Sequence, residues 1–301
     1  MAIFLGIDGG GSKTTCLIGD EQSVLGSGNA GGSNVIRVGE ESTHAALAAA
    51  IRQACTVAGL EPSDINRACL GASGAGRAAT REALGRGLAR LLCCEIEIVA
   101  DTEIALHAAF GPGPGVIVIA GTGAIACGRN ARVESARASG WGFAISDEGS
   151  GYWIGREALR TALRAYDQGV TPPLLRNLMH ALGAATHEQL VIRGNAADFA
   201  PLLPAVLAAA DSGDPLALGV LNHAGRELAT SASVVLHRLF SPGETAPVAM
   251  VGGVFRNSSV VRQVFYNEVS SEFPGATVEP NVIEPVHGAL DLARRGGRDA
   301  I

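Results

Sequence analysis

The feature that most constrains this sequence is an apolar strand that runs into a glycine loop and out into a second apolar strand. Residues 3–7 are followed by Asp8, three glycines, Ser12 and Lys13, and residues 14–18 are again apolar. Adjacent glycines let the backbone approach a ligand closely and turn its N–H groups inward, which suits phosphate oxygens. A Walker loop or a dinucleotide fingerprint needs a helix directly after its glycines. The pattern therefore predicts a hairpin whose tip cradles phosphate, and it excludes those two loop types.

The loop also holds the single lysine of the chain, Lys13, among 23 basic residues. A composition so rich in arginine indicates a GC-rich genome, so the one retained lysine stands out. An ammonium is a compact, mobile point charge suited to following a migrating phosphoryl group, whereas a guanidinium is a planar fork. The alternative interpretation is a glycine-rich hairpin with a solvated lysine.

The opening pattern returns after the punctuation Gly-Pro-Gly-Pro-Gly at residues 111–115. Residues 116–127 again form a strand, a glycine and hydroxyl loop (Gly121, Thr122 and Gly123) and a strand. We therefore predict an α/β chain of two similar βββαβα-type domains, residues 1–111 and 112–301. The second carries a helical insertion at about residues 172–210, and the last helix packs back on the first domain. Two such halves facing each other are expected to form a nucleotide cleft that can close.

Composition narrows the classes of function. Apolar residues make up 47% of the chain, enough for a buried core, and aromatic residues only 4%, so we expect an aliphatic core. A net charge of −6 argues against a general nucleic-acid binder. No apolar run approaches the ~20 residues of a membrane span, and the start lacks a basic region before an apolar stretch. Six scattered cysteines without a C-x-x-C spacing indicate buried thiols in a reducing cytosol. We expect a cytoplasmic protein with no nucleic-acid or membrane partner.

Two carboxylates stand at the ends of expected strands. Asp8 lies beside the glycine loop, where a carboxylate would repel phosphate unless it held Mg²⁺ through the ion's hydration shell. A metal role is therefore favoured over turn capping. Asp101 ends a strand and opens a short helix, pointing into the expected cleft. From the residues alone, a general base and a helix N-cap are equally good interpretations of Asp101.

Five motifs in order carry a family resemblance: residues 9–14, Asp101, and residues 120–124, 140–151 and 252–257. Together they resemble the BadF/BadG/BcrA/BcrD ATPase family, and within it the N-acetylglucosamine kinase branch of the actin-like sugar kinase superfamily. The resemblance covers nearly the whole chain. It implies an actin-like ATPase (ribonuclease H-like) fold, with ATP and Mg²⁺ as cofactors. It further implies phosphorylation of the 6-hydroxyl of N-acetylglucosamine or a closely related amino sugar, and we also expect a homodimer.

The resemblance assigns roles to individual residues. Asp101 is the expected general base, and Asp8 the expected metal ligand. The expected ATP-binding residues are Gly9, Gly10, Gly11, Ser12, Lys13, Thr14, Gly121, Thr122, Gly123, Gly252 and Gly253. The expected sugar-binding residues are Asn34, Ser73, Asp101, Gly140, Trp141 and Asp147. For Trp141 a wall of the sugar site and a place in the core are equally good alternatives.

Other functions stay open at this point. Glucosamine or N-acetylmuramic acid kinases are close alternatives, and so is an ATPase activator coupled to a protein partner. Activators of 2-hydroxyacyl-CoA dehydratases hold an iron–sulfur cluster with cysteines near glycines, a pattern that is not found here. A non-catalytic assembly or sugar-sensing protein is a further class, and no helix-turn-helix precedes Ile3 to support a repressor.

Overall fold

The computed structural model describes residues 1–195 and 198–296, which divide into two compact units. Unit 1 comprises Met1–Gly113 together with the described chain from Ile283 onward, and unit 2 comprises Pro114–Val282. Each unit is built on one five-stranded sheet with helices packed against it.

The elements are numbered in chain order. The strands are β1 (Phe4–Gly9), β2 (Lys13–Gly19), β3 (Val24–Gly31), β4 (Arg67–Ala72), β5 (Glu95–Ala100), β6 (Gly115–Ala120), β7 (Ala124–Arg129), β8 (Ser135–Ser139), β9 (Ala246–Val251) and β10 (Ala276–Ile283). The helices are α1 (Val35–Ala58), α2 (Ala78–Leu88), α3 (Asp101–Phe110), α4 (Gly151–Asp167), α5 (Pro173–Ala181), α6 (His187–Gly194), α7 (Leu203–Asp211), α8 (Pro215–Leu239), α9 (Gly253–Asn257), α10 (Ser259–Glu272) and α11 (Pro285–Arg295). Among the described residues, no helix has the length and apolar character needed to cross a membrane.

The two sheets follow one plan. The strand order is β3-β2-β1-β4-β5 in unit 1 and β8-β7-β6-β9-β10 in unit 2. In each, the first strand pairs antiparallel with the second and parallel with the strand that follows the helical crossover. The α/β class with two similar halves is therefore confirmed, and the last helix, α11, lies in unit 1.

Two features near the start of α1 are not apparent from the sequence pattern. Strand β3 continues to Gly31, since Lys13 pairs with Gly31 and Thr15 with Asn29. Helix α1 begins at Val35, because the Asn34 side chain caps it. A break at Gly39, with φ +80°, interrupts the apolar periodicity and hides that early start.

Each unit has its own apolar core. The core of unit 1 is aliphatic, as expected, whereas the core of unit 2 also contains aromatic rings. One example is the edge-on pair Phe255 and Phe265, whose ring centroids lie 5.0 Å apart. In unit 1, α11 packs so tightly on β1 that a Cβ added at Gly6 would lie 2.3 Å from the backbone nitrogen of Leu290. Glycine is therefore required at this contact.

Within residues 1–195 and 198–296, none of the six cysteines forms a disulfide bond. Cys16, Cys55, Cys69 and Cys127 are buried as expected, whereas Cys93 is exposed, so the expectation of burial was wrong for that residue. Cys93 lies in the loop between α2 and β5. Burial raises the pKa of Cys69 to about 12, which keeps this thiol protonated and unreactive at neutral pH.

Candidate functional site

The first candidate surface lies at the carboxyl ends of the three parallel strands of unit 1. In the register of the sheet, Gly9 pairs with Ala72 and Ala72 with Ala100. The residues next to these positions, Asp8 before Gly9, Ser73 after Ala72 and Asp101 after Ala100, therefore come to one edge of the sheet. Ligands of open α/β sheets bind at such carboxyl edges. Three residues that are far apart in sequence are thus brought together.

Hydrogen bonds between buried hydroxyl groups stabilise the first glycine loop, residues 9–14. The Gly10 N–H donates to the carbonyl of Lys13 at 3.0 Å, which closes the hairpin tip. The Thr14 hydroxyl donates to the carbonyl of Gly31 at 2.7 Å and lies 2.8 Å from the Ser33 hydroxyl. Both hydroxyl residues are buried. Lys13 is exposed, whereas the whole of Thr14 is buried, and the ATP-binding roles of both residues stay predictions.

Asn34 and Ser73, two of the expected sugar-binding residues, contact each other. The Asn34 side chain accepts from the Ile36 N–H at 3.0 Å and donates to the Ser73 hydroxyl at 3.3 Å. The Ser73 N–H in turn donates to the carbonyl of Gly9 at 3.1 Å. This chain of bonds ties a short polar pair to the start of the first glycine loop. Such adaptable polar groups suit a ligand that is rich in hydroxyls.

Asp101 is the first residue of α3, and Ala100 occupies the N-cap position. N-capping therefore does not describe Asp101. Its carboxylate accepts from the Thr102 N–H at 3.0 Å. Burial raises the pKa of Asp101, while hydrogen bonds from the N–H groups of Thr102 and of Asp101 itself oppose that rise. A carboxylate whose pKa is raised is a stronger base, as proton abstraction from a hydroxyl requires.

The second glycine loop, residues 121–123, connects β6 and β7 in unit 2. The start of α4 holds it: the Gly151 N–H donates to the carbonyl of Gly121 at 2.8 Å, and the Tyr152 N–H to that of Thr122 at 3.3 Å. Gly252, after the parallel strand β9, lies against the same loop with φ +102°. A Cβ added there would lie 2.5 Å from the carbonyl oxygen of Ala120. The expected ATP-binding glycines of unit 2 therefore lie together, and their contact with ATP stays a prediction.

The aromatic segment, residues 140–146, presents its rings at the surface. Trp141 is 69% exposed, so it is not part of the core. The guanidinium carbon of Arg137 lies 4.5 Å from the Trp141 ring centroid, and the same guanidinium donates to the Gly140 carbonyl at 2.9 Å. The ring of Phe143 lies 4.7 Å from that of Tyr152. The segment therefore offers the accessible ring of Trp141, which the Arg137 guanidinium holds in position.

Asp147 follows this segment and is only 6% exposed. Its carboxylate accepts from the Gly142 N–H at 3.1 Å and from the N–H of Ala124, which follows the second glycine loop. Burial raises the pKa of Asp147, the neighbouring Glu148 charge raises it further, and these two hydrogen bonds and Arg137 oppose the rise. A sugar contact by Asp147 stays a prediction.

Sequence reasoning missed three contributors: Ser33, Arg137 and Ala124. Ser33 stands in a polar loop that the sequence presents only as a turn. Arg137 lies four residues before Trp141 on a strand whose face cannot be read without knowing the register of β8. Ala124 is 23 residues from Asp147 in sequence, and no local pattern joins them. All three depend on tertiary contacts.

The donors on the first surface fit a magnesium ion that keeps most of its water. Within residues 1–195 and 198–296, no group of three or more His, Cys, Asp or Glu side chains can hold a metal by itself. Mg²⁺ commonly takes one or two carboxylates, several waters and substrate phosphate oxygens. The half-buried Asp8, beside the first glycine loop, is a carboxylate of this kind, and its role as a metal ligand stays a prediction.

Known proteins that are similar to this chain include amino sugar kinases. A protein from Clostridium acetobutylicum named N-acetylmuramic acid/N-acetylglucosamine kinase is 31% identical over 98% of this chain and 99% of its own. An N-acetyl-D-glucosamine kinase of Dictyostelium discoideum is 29% identical over 97% of each chain. The solved structure of a candidate N-acetylglucosamine kinase from Chromobacterium violaceum has a TM-score of 0.78 at 26% identity, covering 97% of this chain and 99% of that one. The model of the BadF/BadG/BcrA/BcrD ATPase family matches residues 5–291. With its actin-like fold and two glycine loops, this chain belongs to the BadF/BadG/BcrA/BcrD ATPase family.

Proposed function

We propose that this chain is an ATP-dependent kinase that phosphorylates the 6-hydroxyl of N-acetylglucosamine or a closely related amino sugar. The observation that carries the proposal is the placement of Asp101, a carboxylate with a raised pKa, at the same sheet edge as Asp8 and the Asn34–Ser73 pair. A base, a metal ligand and a polar pair at one edge are what transfer to a sugar hydroxyl requires. The names of the two full-length relatives support an amino sugar as the acceptor.

In this mechanism the residues mainly position groups and neutralise charge, because phosphoryl transfer needs little covalent chemistry from the protein. Asp101 accepts the proton of the 6-hydroxyl as the sugar oxygen bonds to the γ-phosphorus of ATP, while the bond from that phosphorus to the bridging oxygen breaks and ADP leaves. The Asn34–Ser73 pair orients the sugar. N–H groups of the glycine loops bind phosphate oxygens, and the Lys13 ammonium follows the transferred group. Mg²⁺, held by Asp8 through water, supplies further neutralisation of the phosphate charge when it is bound.

The geometry favours a neutral acetamido group over a free amine on the sugar. A 2-ammonium group would need a carboxylate as its partner. Asp147 is buried and already accepts two backbone hydrogen bonds, so it is poorly placed for that role. Trp141 instead offers an exposed ring for the acetamido methyl group. Glucosamine stays the second candidate because Glu148 lies in the same region, with its carboxylate 3.1 Å from the Ser146 hydroxyl.

A panel of sugars tests this assignment directly. ATP consumption is measured with N-acetylglucosamine, glucosamine, N-acetylmuramic acid, glucose and no sugar. We expect strong stimulation by N-acetylglucosamine and no consumption with its 6-deoxy analogue, which should inhibit by occupying the same site. ATP turnover that is independent of sugar would instead indicate an ATPase that acts on a protein partner. Consumption with the 6-deoxy analogue would exclude the 6-hydroxyl as the acceptor.

The assembly and location of the enzyme are part of the same proposal. We infer a cytoplasmic homodimer, as expected from the sequence. Light scattering on the purified chain gives its molar mass. A mass equal to the 30.6 kDa of one chain would contradict the dimer without affecting the kinase assignment.

A further inference from the structure

Asp147 combines two unfavourable features at one residue. Its φ is +67°, in the left-handed region that few residues other than glycine occupy. Its carboxylate is also buried, with 6% of the residue exposed. Strained backbone and a buried charge at one position are typical of functional sites, because they persist only when the surrounding structure holds them in place.

The contacts of Asp147 join two segments that the proposed function uses for different substrates. Its carboxylate accepts from the Gly142 N–H of the aromatic segment at 3.1 Å. The same carboxylate accepts from the N–H of Ala124, directly after the second glycine loop. Contact with that loop is close, because a Cβ added at Gly123 would lie 2.6 Å from Oδ2 of Asp147. One side chain thus fixes the position of both segments.

The backbone of Asp147 strengthens this link. Its carbonyl accepts from the N–H of Ser150 at 3.1 Å, one residue before α4 begins. The Gly151 N–H of α4 donates to the second glycine loop at 2.8 Å. The loop, the start of α4 and the aromatic segment therefore meet around Asp147 within unit 2.

We propose that Asp147 is a positioning residue that couples the second glycine loop to the aromatic segment, so that ATP and the acetamido sugar are recognised together. The proposal deepens the kinase function and rests on it for the identity of the two ligands. Movement of one segment is transmitted to the other through the Asp147 carboxylate. A residue that only contacted sugar would leave ATP binding unchanged.

The coupling requires the ionised side chain. A carboxylate can accept both N–H groups, whereas a protonated acid must use one oxygen as a donor. The charged groups that act on Asp147 are Glu148 and Arg137, and burial together with Glu148 raises its pKa. The coupling is therefore present above this raised pKa and is lost as the pH falls through it.

Asp147→Asn is the first test, because asparagine has nearly the same shape and tolerates a positive φ. Activity is compared for N-acetylglucosamine and glucose, two neutral sugars, so that any effect of Asp101 on both rates cancels in the kcat/KM ratio. We expect the variant to lower this ratio by ~10-fold and to raise the KM for ATP by at least ~5-fold, since both segments lose their brace. In the wild-type enzyme the ratio should fall at acidic pH, whereas in Asp147→Asn it should be low at every pH.

Glu148→Gln is the matched control, since it removes one negative charge beside Asp147 and leaves the two backbone hydrogen bonds in place. The sugar ratio at neutral pH should not change. The midpoint of the fall in this ratio at acidic pH should move to lower pH, because the Glu148 charge no longer raises the pKa of Asp147. A purely structural role for Asp147 predicts no such movement.

Hydrogen exchange in the ligand-free protein separates this proposal from the kinase assignment. In Asp147→Asn, peptides that cover residues 121–126 and 140–146 should both exchange faster than in wild type at the same pH, and in Glu148→Gln neither should. If no sugar is phosphorylated, the proposed function fails while faster exchange in both peptides still supports the coupling. A variant that changes only the sugar KM would make Asp147 a direct sugar ligand, and normal exchange in both peptides would exclude the coupling.

Discussion

The two glycine loops occupy the same place in the two units but are held in different ways. Each connects the first two antiparallel strands, β1–β2 in unit 1 and β6–β7 in unit 2. Hydroxyl groups of Thr14 and Ser33 brace the first loop. The start of α4 and the Asp147 carboxylate brace the second. The repeated topology therefore fixes where the loops lie, while the residues around each loop decide how the loop responds to its surroundings.

The two glycine loops also differ in the charged residues that they contain or lie beside. The first surface carries Asp8, Lys13 and Asp101 at strand ends and in the loop, whereas residues 121–123 are Gly-Thr-Gly and carry no charge. We infer that unit 1 supplies the groups that take part in the chemistry and that unit 2 supplies positioning. Changes in unit 1 should then act on kcat or on stability without a shift in the pH dependence of sugar selectivity. Changes in unit 2 should act on selectivity and on its pH dependence.

The largest effect is expected for Asp101→Asn. A small effect would contradict the assignment of the chemical groups to unit 1. Loss of the general base should lower kcat by ~10²–10⁴-fold, with the affinities for ATP and sugar within several-fold of wild type. The control is Glu103→Gln, on the same helix, whose side chain accepts from the Ala100 N–H at 3.4 Å, and it should keep near-normal kcat. Single-turnover kinetics measure both. Near-normal kcat in Asp101→Asn would remove this residue from the role of base.

The pH dependence of Asp101 gives a second readout of the same prediction. Because burial raises its pKa, wild-type kcat should be full above that raised pKa and fall as the pH drops through it, at a less acidic pH than for an ordinary aspartate. The raised pKa also means that the charged form costs folding free energy above it. Asp101→Asn should therefore not lower the melting temperature at neutral pH. A lower melting temperature would indicate that the variant acts through the fold.

Modification of Lys13 is expected to have the next largest effect. An amine-directed reagent can reach only Lys13 and the N-terminus, since the chain has one lysine, and that residue is exposed. Modification should lower activity by more than ~10-fold by removing a charge at the phosphates, and Mg-ATP should protect the enzyme. Lys13→Arg, which retains only the N-terminal amine, is the control, and the activity that this variant keeps should be insensitive to the reagent. Fully modified wild-type protein that stays active would exclude Lys13 from phosphate binding.

The difference between the loops also marks what the sequence could predict. The glycine clusters, the strand-end carboxylates and the repeat are local patterns, and they were sufficient to predict the fold class and to place Asp8 and Asp101 at strand ends. Pairing of the parallel strands then brings such residues to one edge of the sheet, and no other signal in the sequence is needed. The structure confirms the fold class, while the chemical roles of these residues stay predictions.

The bracing contacts could not be predicted because they join residues that are distant in sequence. The Thr14 hydroxyl meets Gly31 and Ser33 only once β2 and β3 are paired. The bond from Ala124 to Asp147 depends on a positive φ at a residue that is not glycine. The exposure of Trp141 could not be predicted either. Aromatic residues are usually buried, and only the packing of residues 140–146 decides whether this ring is exposed.

Thr14→Val is expected to have a moderate effect. It tests whether the hydroxyl contacts of the first loop, unlike the Asp147 carboxylate at the second, are insensitive to pH. The change keeps the shape but removes the hydroxyl that serves Gly31 and Ser33, leaving buried polar groups unpaired at a cost of ~1–3 kcal/mol in the free energy of unfolding. Because hydroxyls do not titrate near neutral pH, the pH dependence of the sugar ratio should match that of wild type. Thr15→Val, one residue along and only partly buried, is the control and should cost less. Urea denaturation measures both, and a shifted pH profile in Thr14→Val would contradict the distinction.

The smallest effect is expected for Trp141→Ala, which tests selectivity in unit 2 without touching its core. Wild-type kcat/KM for N-acetylglucosamine should exceed that for glucosamine by at least ~10-fold, about what one interaction of ~1.4 kcal/mol provides. The variant should shrink this ratio more than it lowers ATP affinity, because the exposed ring is 69% accessible and lies on the sugar side of the proposed coupling. Its unfolding free energy should stay within ~0.5 kcal/mol of wild type, as for most surface substitutions. Ile145→Ala, which is 81% exposed in the same segment, is the control and should leave the ratio unchanged. A wild-type preference for glucosamine would move the assignment to a glucosamine kinase, because the aromatic ring would then have no acetamido group to recognise.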